Sequence, residues 1–288
     1  MPVARDRVRA CLLDVYDTIL ASHFPGRLAA LAELADVPVE RLSAAWLTLA
    51  RDRDTGKLPM AAAFARALAA CGRDPDPGLV DRLVHADAEL ILTHTEVCPD
   101  TVPFLEAVRR AGIRVALVSN CADNTRPMLA AKGLLDLVDA VVLSCEAGIA
   151  KPDPQIYLVA LQDLGGQPAD AVMLDDQARF CAGAQASGVR AIQVVRPGIA
   201  SHPADPRFQS VPSLRDALPL MLLSLPNRTR PPWHSSVLSR AEAGQQINLD
   251  REGDRGLDRP REHVAFVVAP ARRVDQVRVD NGNAGTRR

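Results

Sequence analysis

Short runs of Val, Ile and Leu recur through the first 225 residues, separated by segments whose apolar positions repeat at helical spacing. The runs 8–14 (VRACLLD), 113–119 (IRVALVS), 138–144 (VDAVVLS), 170–175 (AVML and Asp175 at its end) and 189–195 (VRAIQVV) predict strands. Each is bounded by Gly, Asp or Asn, and near-continuous apolar character predicts burial on both faces. Helices are predicted at 100–111, with Asp100 as N-cap and Gly112 just past the end, and at 124–132, 153–164 and 178–187. Strand–helix alternation at this spacing implies a parallel sheet with helices on both faces. One stretch breaks the alternation. Between Thr18 and Asp100 no strand is predicted, and four helical patterns fill the space near 26–36, 38–53, 59–71 and 77–94. An all-helical insertion directly after the first strand reads as a second, smaller domain. Ligands of open parallel sheets bind beyond the carboxyl ends of the strands, so the insertion would cover such a site as a lid.

Composition narrows the class. The 288 residues are 48% hydrophobic and 24% charged, which is ordinary for a globular chain. Lys and Arg number 34 against 35 Asp and Glu, a net charge of -1, which supplies no field for gathering nucleic acid or an anionic membrane. The apolar run Cys11-Leu12-Leu13 is cut by Asp14 too soon for a signal peptide, and Leu220–Leu223 falls far short of the ~20 residues of a membrane helix. The six cysteines are scattered without a C-x-x-C pair, as in a reduced cytoplasmic protein with packed thiols. His23, His85 and His94 show no metal-ligand spacing. Residues 226–288 differ from the rest: 12 Arg, no Lys and 8 acids, with one apolar stretch, Val264–Ala269. They read as an Arg-rich, disordered tail.

Candidate chemistry gathers at strand ends. Asp14 ends the first strand within Leu13-Asp14-Val15-Tyr16-Asp17-Thr18, Ser119-Asn120 ends the second, Lys151-Pro152-Asp153-Pro154 follows the third, and Asp175-Asp176 ends the fourth. A strand-end carboxylate can act as a nucleophile. Two further carboxylates next to it could share a Mg²⁺, an ion that takes one or two carboxylates together with substrate phosphate. Ser119 and Lys151 would neutralise the oxygens of a transferring phosphoryl group. Lys151 is one of three lysines in a chain that otherwise uses Arg, which fits a point-charge role.

This set, in order, spacing and setting, resembles the four motifs of the haloacid dehalogenase-like hydrolase superfamily over about residues 8–225. The third motif reads Gly148-Ile149-Ala150-Lys151-Pro152-Asp153-Pro154-Gln155-Ile156-Tyr157, and the fourth is followed by Gly183-Ala184 and Ser187-Gly188. The resemblance implies a Rossmann-like α/β core (1–19 and 96–225) with a small all-helical cap (20–95) inserted after the first strand. It implies Asp14 as nucleophile beside Thr18, Ser119 and Asn120 at the substrate's charged oxygens, and Lys151 neutralising both. Asp176 would bind Mg²⁺ directly, Asp175 would support it, and the Tyr16 carbonyl would complete the set with Asp14. A small-molecule substrate is implied, with the protein a monomer or homodimer.

Two departures from the pattern matter. The family's phosphatases carry an Asp two residues after the nucleophile, to protonate the leaving oxygen; here that residue is Tyr16. Asp17 stands next door, and in an extended segment it would point the opposite way. Tyr at this position belongs to the 2-haloacid dehalogenase branch, where a cap arginine about thirty residues on, with Arg41 as candidate, would hold carboxylate or halide. That branch has S-S-N and then an Asp at the fourth motif, where this chain has Asp175-Asp176-Gln177 and Phe180. The sequence therefore favours a Mg²⁺-dependent phosphatase of a small metabolite over a dehalogenase, or over a catalytically weak descendant that binds a metabolite or partner. Plainer readings exist for single residues: Asp175-Asp176 as an N-cap, and Arg41 with Arg51-Asp52-Arg53-Asp54 as a solvated helix face.

Overall fold

The structure is a computed structural model and describes residues 8–199 and 202–222. Six parallel strands form the main sheet: β1 (Ala10–Leu13), β2 (Arg114–Ser119), β3 (Ala140–Leu143), β4 (Ala171–Asp175), β5 (Arg190–Val194) and β6 (Gln209–Val211), in spatial order β3-β2-β1-β4-β5-β6. Alternate residues of one strand serve opposite faces. Cys11, Leu13, Val115, Leu117, Val172 and Leu174 pack into one apolar layer, and Ala10, Leu12, Ala116, Val118, Ala171 and Met173 into the other. Both faces being covered is why these strands read as unbroken apolar runs. The order reverses at β1, which lies between β2 and β4, so the crevice beyond its carboxyl end is the topological switch point.

Eleven α-helices lie among the described residues: α1 (Phe24–Ala35), α2 (Val39–Thr48), α3 (Ala50–Asp54), α4 (Met60–Ala70), α5 (Pro77–Thr93), α6 (Thr101–Arg110), α7 (Thr125–Ala131), α8 (Ser144–Ala147), α9 (Pro154–Asp163), α10 (Ala178–Ala186) and α11 (Leu214–Leu222). Helices α1–α5 enclose a core of their own around Leu31, Leu42, Trp46, Phe64, Leu68 and Leu83. The Trp46 and Phe64 rings lie 4.9 Å apart. No described helix is long and apolar enough to cross a membrane.

Four sequence expectations change. Leu20–Ser22 and Thr95–Val97 pair as a short antiparallel ribbon where no strand was expected; three residues apiece carry no readable period, and their partners are remote in sequence. The sixth strand, β6, was missed for the same reason. The predicted helix 38–53 breaks into α2 and α3 at Leu49, because the Thr48 hydroxyl bonds the Ala45 carbonyl at 2.7 Å, the acceptor a continuous helix would give to the Leu49 N–H. Asp100 sits at the N-cap position of α6 without capping it. Its carboxylate instead accepts from Arg196 Nη2 and from the Leu214 N–H, both at 2.8 Å, tying α11 to the core. The expected tail at 226–288 lies outside the described residues.

Candidate active site

Asp14 follows β1 directly, with its N–H bonded to the Leu174 carbonyl at 3.0 Å, so the β4 ladder fixes where the carboxylate emerges. Its Oδ2 accepts from the Thr18 hydroxyl at 3.0 Å and its Oδ1 from Lys151 Nζ at 2.5 Å. The same ammonium donates to Asp175 Oδ2 at 2.7 Å. Asp175 Oδ1 takes the Gln177 N–H at 2.8 Å, but Gln177 itself holds the N-cap position of α10 and no side chain caps that helix, so the plain N-cap reading of Asp175-Asp176 does not hold. Asp14, Asp175 and Asp176 offer oxygens all within 4.8 Å of one another, and all three residues are buried.

Three carboxylates face one ammonium, and the electrostatics record the imbalance. Burial, then the charge of Asp14, raises the Asp175 carboxyl to about 7 despite Lys151. Burial, then the charges of Asp14 and Asp175, raises Asp176 to about 9. Burial alone would lower Lys151, but the two carboxylates it touches outweigh that and hold it protonated. Two buried polar atoms in this cluster have no partner among the described residues: Ser119 Oγ and Asp176 Oδ1. Native interiors rarely leave such atoms unsatisfied, and both belong to motif residues. A hard divalent cation fits these donors, which are all oxygens, and fits the surplus of negative charge.

The supporting residues are specific. Asn120 clamps the Lys151 backbone from both sides, its Nδ2 donating to the Lys151 carbonyl at 2.9 Å and its Oδ1 accepting from the Lys151 N–H at 2.7 Å. The structure therefore places Asn120 as the residue that positions Lys151. The Phe180 ring covers Lys151 Nζ at 4.8 Å, and Tyr157 holds the Phe180 carbonyl at 2.7 Å. Gly183 lets α10 approach this loop, since a Cβ there would lie 2.5 Å from the Pro152 carbonyl oxygen and 2.8 Å from the Tyr157 hydroxyl. Gln193, level with Asp175 in β5, donates to the Asp176 carbonyl at 2.9 Å and fixes the second acid from behind.

Around the first motif the chain is not extended. Asp17 has φ 59°, in the left-handed region, and its Oδ1 accepts from both the N–H and the hydroxyl of Ser22 in the short ribbon. This carboxylate anchors the ribbon to the nucleophile loop. The alternation argument for its direction does not apply at that φ. The Tyr16 hydroxyl lies 2.8 Å from Thr125 Oγ1, and its ring packs 5.1 Å from Phe24 of the cap. Burial raises this hydroxyl far above the ordinary tyrosine range.

Cap residues not anticipated as functional meet the site here. Arg27 of α1 and Asp87 of α5 form a buried pair, Nε to Oδ1 at 2.6 Å, and Asn124 of the core donates to the other Asp87 oxygen at 2.6 Å. Both charges sit on apolar stripes, Arg27 with Leu31 and Ala35, and Asp87 with Leu83 and Ile91. A charge at such a position was the available signal. Arg53, expected on a solvated face, instead stacks over Trp46 at 4.2 Å and has its Nε buried. Arg41 is exposed on α2, and no contact joins it to the motif residues.

Residues 8–188 match the family model for haloacid dehalogenase-like hydrolases. The chain belongs to this family. Among curated relatives of this hydrolase, Phosphatase MT3486 of Mycobacterium tuberculosis is 36% identical over 120 residues, covering 41% of this chain and 54% of the relative. The chain thus matches about half the length of that phosphatase. (S)-2-haloacid dehalogenase 4A of Burkholderia cepacia is 28% identical over 231 residues, covering 75% of this chain and 96% of the relative. The crystal structure of 2-haloacid dehalogenase from Pseudomonas syringae pv. Tomato DC3000 is 26% identical, with TM-score 0.59, covering 75% of this chain and 98% of that one. The similarity reaches both phosphatases and dehalogenases.

Proposed function

We propose that this hydrolase is a Mg²⁺-dependent phosphatase of a small phosphorylated metabolite, acting through an aspartyl-phosphate on Asp14. The observation that carries the reading is the buried trio Asp14, Asp175 and Asp176 set against the ammonium of Lys151, with one Asp176 oxygen lacking a partner among the described residues. Asp14, Asp176 and the Tyr16 carbonyl would hold the ion, with Asp175 beside them. When bound, it supplies the missing positive charge and polarises phosphoryl oxygens. Asp14 attacks phosphorus, with Thr18 and Lys151 fixing its two oxygens. Ser119 Oγ, which has no partner among the described residues, donates to the transferring group, and Lys151 neutralises the charge that collects there. Water then hydrolyses the aspartyl-phosphate.

Tyr16 shapes this chemistry. Its hydroxyl is held by Thr125 and kept neutral by burial, so it does not replace the proton donor that an aspartate would supply. The leaving oxygen departs without that help, and the enzyme favours esters of acidic alcohols. The second reading is a 2-haloacid dehalogenase using Asp14 to displace halide. Tyr16 and the extended similarity to the Burkholderia dehalogenase favour it, while the carboxylate pair at the fourth motif weighs against it.

The test is phosphate release from a panel of small phosphomonoesters, with and without Mg²⁺, beside an Asp14→Asn control and halide release from 2-haloacids. Phosphate release requiring both Mg²⁺ and Asp14 is the expected result. Halide release without phosphate release overturns the phosphatase reading.

A further inference from the structure

Of the six cysteines five are buried, and the exception is Cys145. Neither it nor Cys121 takes part in the chemistry above. Ser119 at the end of β2 pairs with Leu143 at the end of β3, so Cys121 and Cys145 each stand two residues beyond the same rung of the ladder. The two chains stay together past that rung. The Ser144 hydroxyl accepts from the Cys121 N–H at 2.9 Å and donates to the Cys121 carbonyl at 3.4 Å. Neighbouring strands run ~4.8 Å apart, inside the ~4.4–6.8 Å between Cα atoms that a disulfide spans. The two thiols meet there, with Cys121 donating to Cys145. That hydrogen bond lowers the Cys145 thiol from its ordinary range, whereas burial raises Cys11, Cys98 and Cys181.

The pair is tied to the site at both ends. Cys121 directly follows Ser119 and Asn120, and Asn120 clamps the Lys151 backbone. The Cys121 thiol also hydrogen-bonds Thr125, whose hydroxyl lies 2.8 Å from that of Tyr16. Cys145 belongs to α8, and its carbonyl meets the cap so closely that a Cβ added at Gly56 would collide with it.

We propose that Cys121 and Cys145 form a redox pair whose disulfide slows turnover at Asp14, with a hydroperoxide as the oxidant. The inference rests on the reading of Asp14 as nucleophile for its turnover readout, and holds for phosphate or halide as the leaving group. Cys145, the accessible sulfur, attacks the outer oxygen of the hydroperoxide. The O–O bond breaks, the sulfur loses two electrons and becomes a sulfenic acid, and the thiol proton leaves with the departing oxygen as an alcohol, or as water from hydrogen peroxide. Cys121 then attacks that sulfur. The S–S bond forms, the S–O bond breaks, and the hydroxyl departs with the Cys121 proton as water. The new bond, ~2.05 Å long, is far shorter than a thiol hydrogen bond. It draws the Cys121 sulfur off Thr125 towards α8, so the Ser119–Cys121 turn shifts and takes the Asn120 clamp on Lys151 with it. A thiol reductant reverses the change.

The full chain is treated with hydrogen peroxide, with and without dithiothreitol afterwards. Non-reducing peptide mapping locates the linked cysteines, and turnover is followed with Mg²⁺ on phosphomonoesters and on 2-haloacids. A Cys121–Cys145 link is expected, with turnover down about 10- to 100-fold and recovered by the reductant, the scale of an ångström's misplacement in a site. Cys145→Ser keeps basal turnover within about threefold and loses the peroxide response. Cys121→Ser halts at the sulfenic acid on Cys145, which dimedone traps on that peptide. Absence of the link, a link that leaves turnover unchanged, or reversible inactivation that persists in Cys145→Ser overturns the inference. Peroxide-sensitive halide release without phosphate release overturns the phosphatase reading and leaves this one standing.

Discussion

Replacing Asp176 by Asn should make the cation-free protein more stable while abolishing its response to Mg²⁺. In the wild type Asp176 is mostly buried beside Asp14 and Asp175, with its carboxyl raised to about 9. An unfolded chain ionises the same group near 3.9, so at pH 7 keeping it neutral in the fold costs about 1.36 kcal/mol per pH unit over about three units, ~4 kcal/mol. The sign follows from linkage. A raised carboxylate pKa puts the penalty above the unfolded value, so stability falls as pH rises from about 4 towards 9. The neighbouring carboxylates relax partly when one of the three is lost, and roughly half of the penalty should appear as a gain, ~2 kcal/mol. For a domain of this size that is a Tm rise of about 4–8 °C. The assay is thermal unfolding of both proteins in chelator and in millimolar Mg²⁺, at pH 5 and pH 7.5. Wild-type Tm should climb on adding Mg²⁺, the variant should be higher in chelator and flat with Mg²⁺, and the gap should narrow at pH 5. A variant less stable than wild type in chelator at pH 7.5 would refute the argument that surplus carboxylate charge strains this site.

Four further outcomes follow from the same geometry. Lys151→Met strands Asp14 and Asp175 without a buried cation and should lower stability by about 3–5 kcal/mol, read by chemical denaturation, with turnover lost. Asn120→Ala breaks both backbone bonds to Lys151 and should reduce kcat by ~10-fold or more with circular dichroism unchanged. Gly183→Ala places a methyl group 2.5 Å from the Pro152 carbonyl and should cost about 1–3 kcal/mol in stability, together with activity, because the Lys151 loop must give way. Tyr16→Asp restores a proton donor two residues after the nucleophile and should accelerate hydrolysis of esters with poor leaving groups by ~10²-fold or more, with little change for good ones.

The sheet was legible because five of its strands are buried on both faces and so write unbroken apolar runs, whereas β6 and the ribbon are three residues each and write nothing. The core half of the site was legible for a related reason. Asp14, Ser119 and Asp175 end apolar strands, where a polar residue interrupts the pattern and marks the edge of the sheet. The cap half was not. Arg27 and Asp87 are each one charge on an otherwise apolar helical stripe, and nothing local tells such a residue from an exposed one until its partner, sixty residues away, is known. Arg53 misled in the opposite sense, since the run Arg51-Asp52-Arg53-Asp54 has the composition of a solvated face while Trp46 draws one of its members inward.

The substitution at Tyr16 and the acid at Asp17 belong to one arrangement. In the left-handed conformation Asp17 turns its carboxylate to Ser22 and spends it on the ribbon, so the nucleophile loop, the ribbon and the cap entrance are tied at one point. Tyr16 meanwhile fills the proton donor's position with a ring that packs on Phe24 and a hydroxyl that reaches Thr125. Phe24 also lies under the Arg27 guanidinium, at 5.6 Å. In the proposed phosphatase, a packed aromatic contact linking the nucleophile loop to Arg27 of the cap would thus stand where a proton donor is otherwise expected. Under the phosphatase reading Tyr16→Asp should therefore act on kcat, with KM little changed, because the ring it removes packs on the cap and touches no group that binds phosphate.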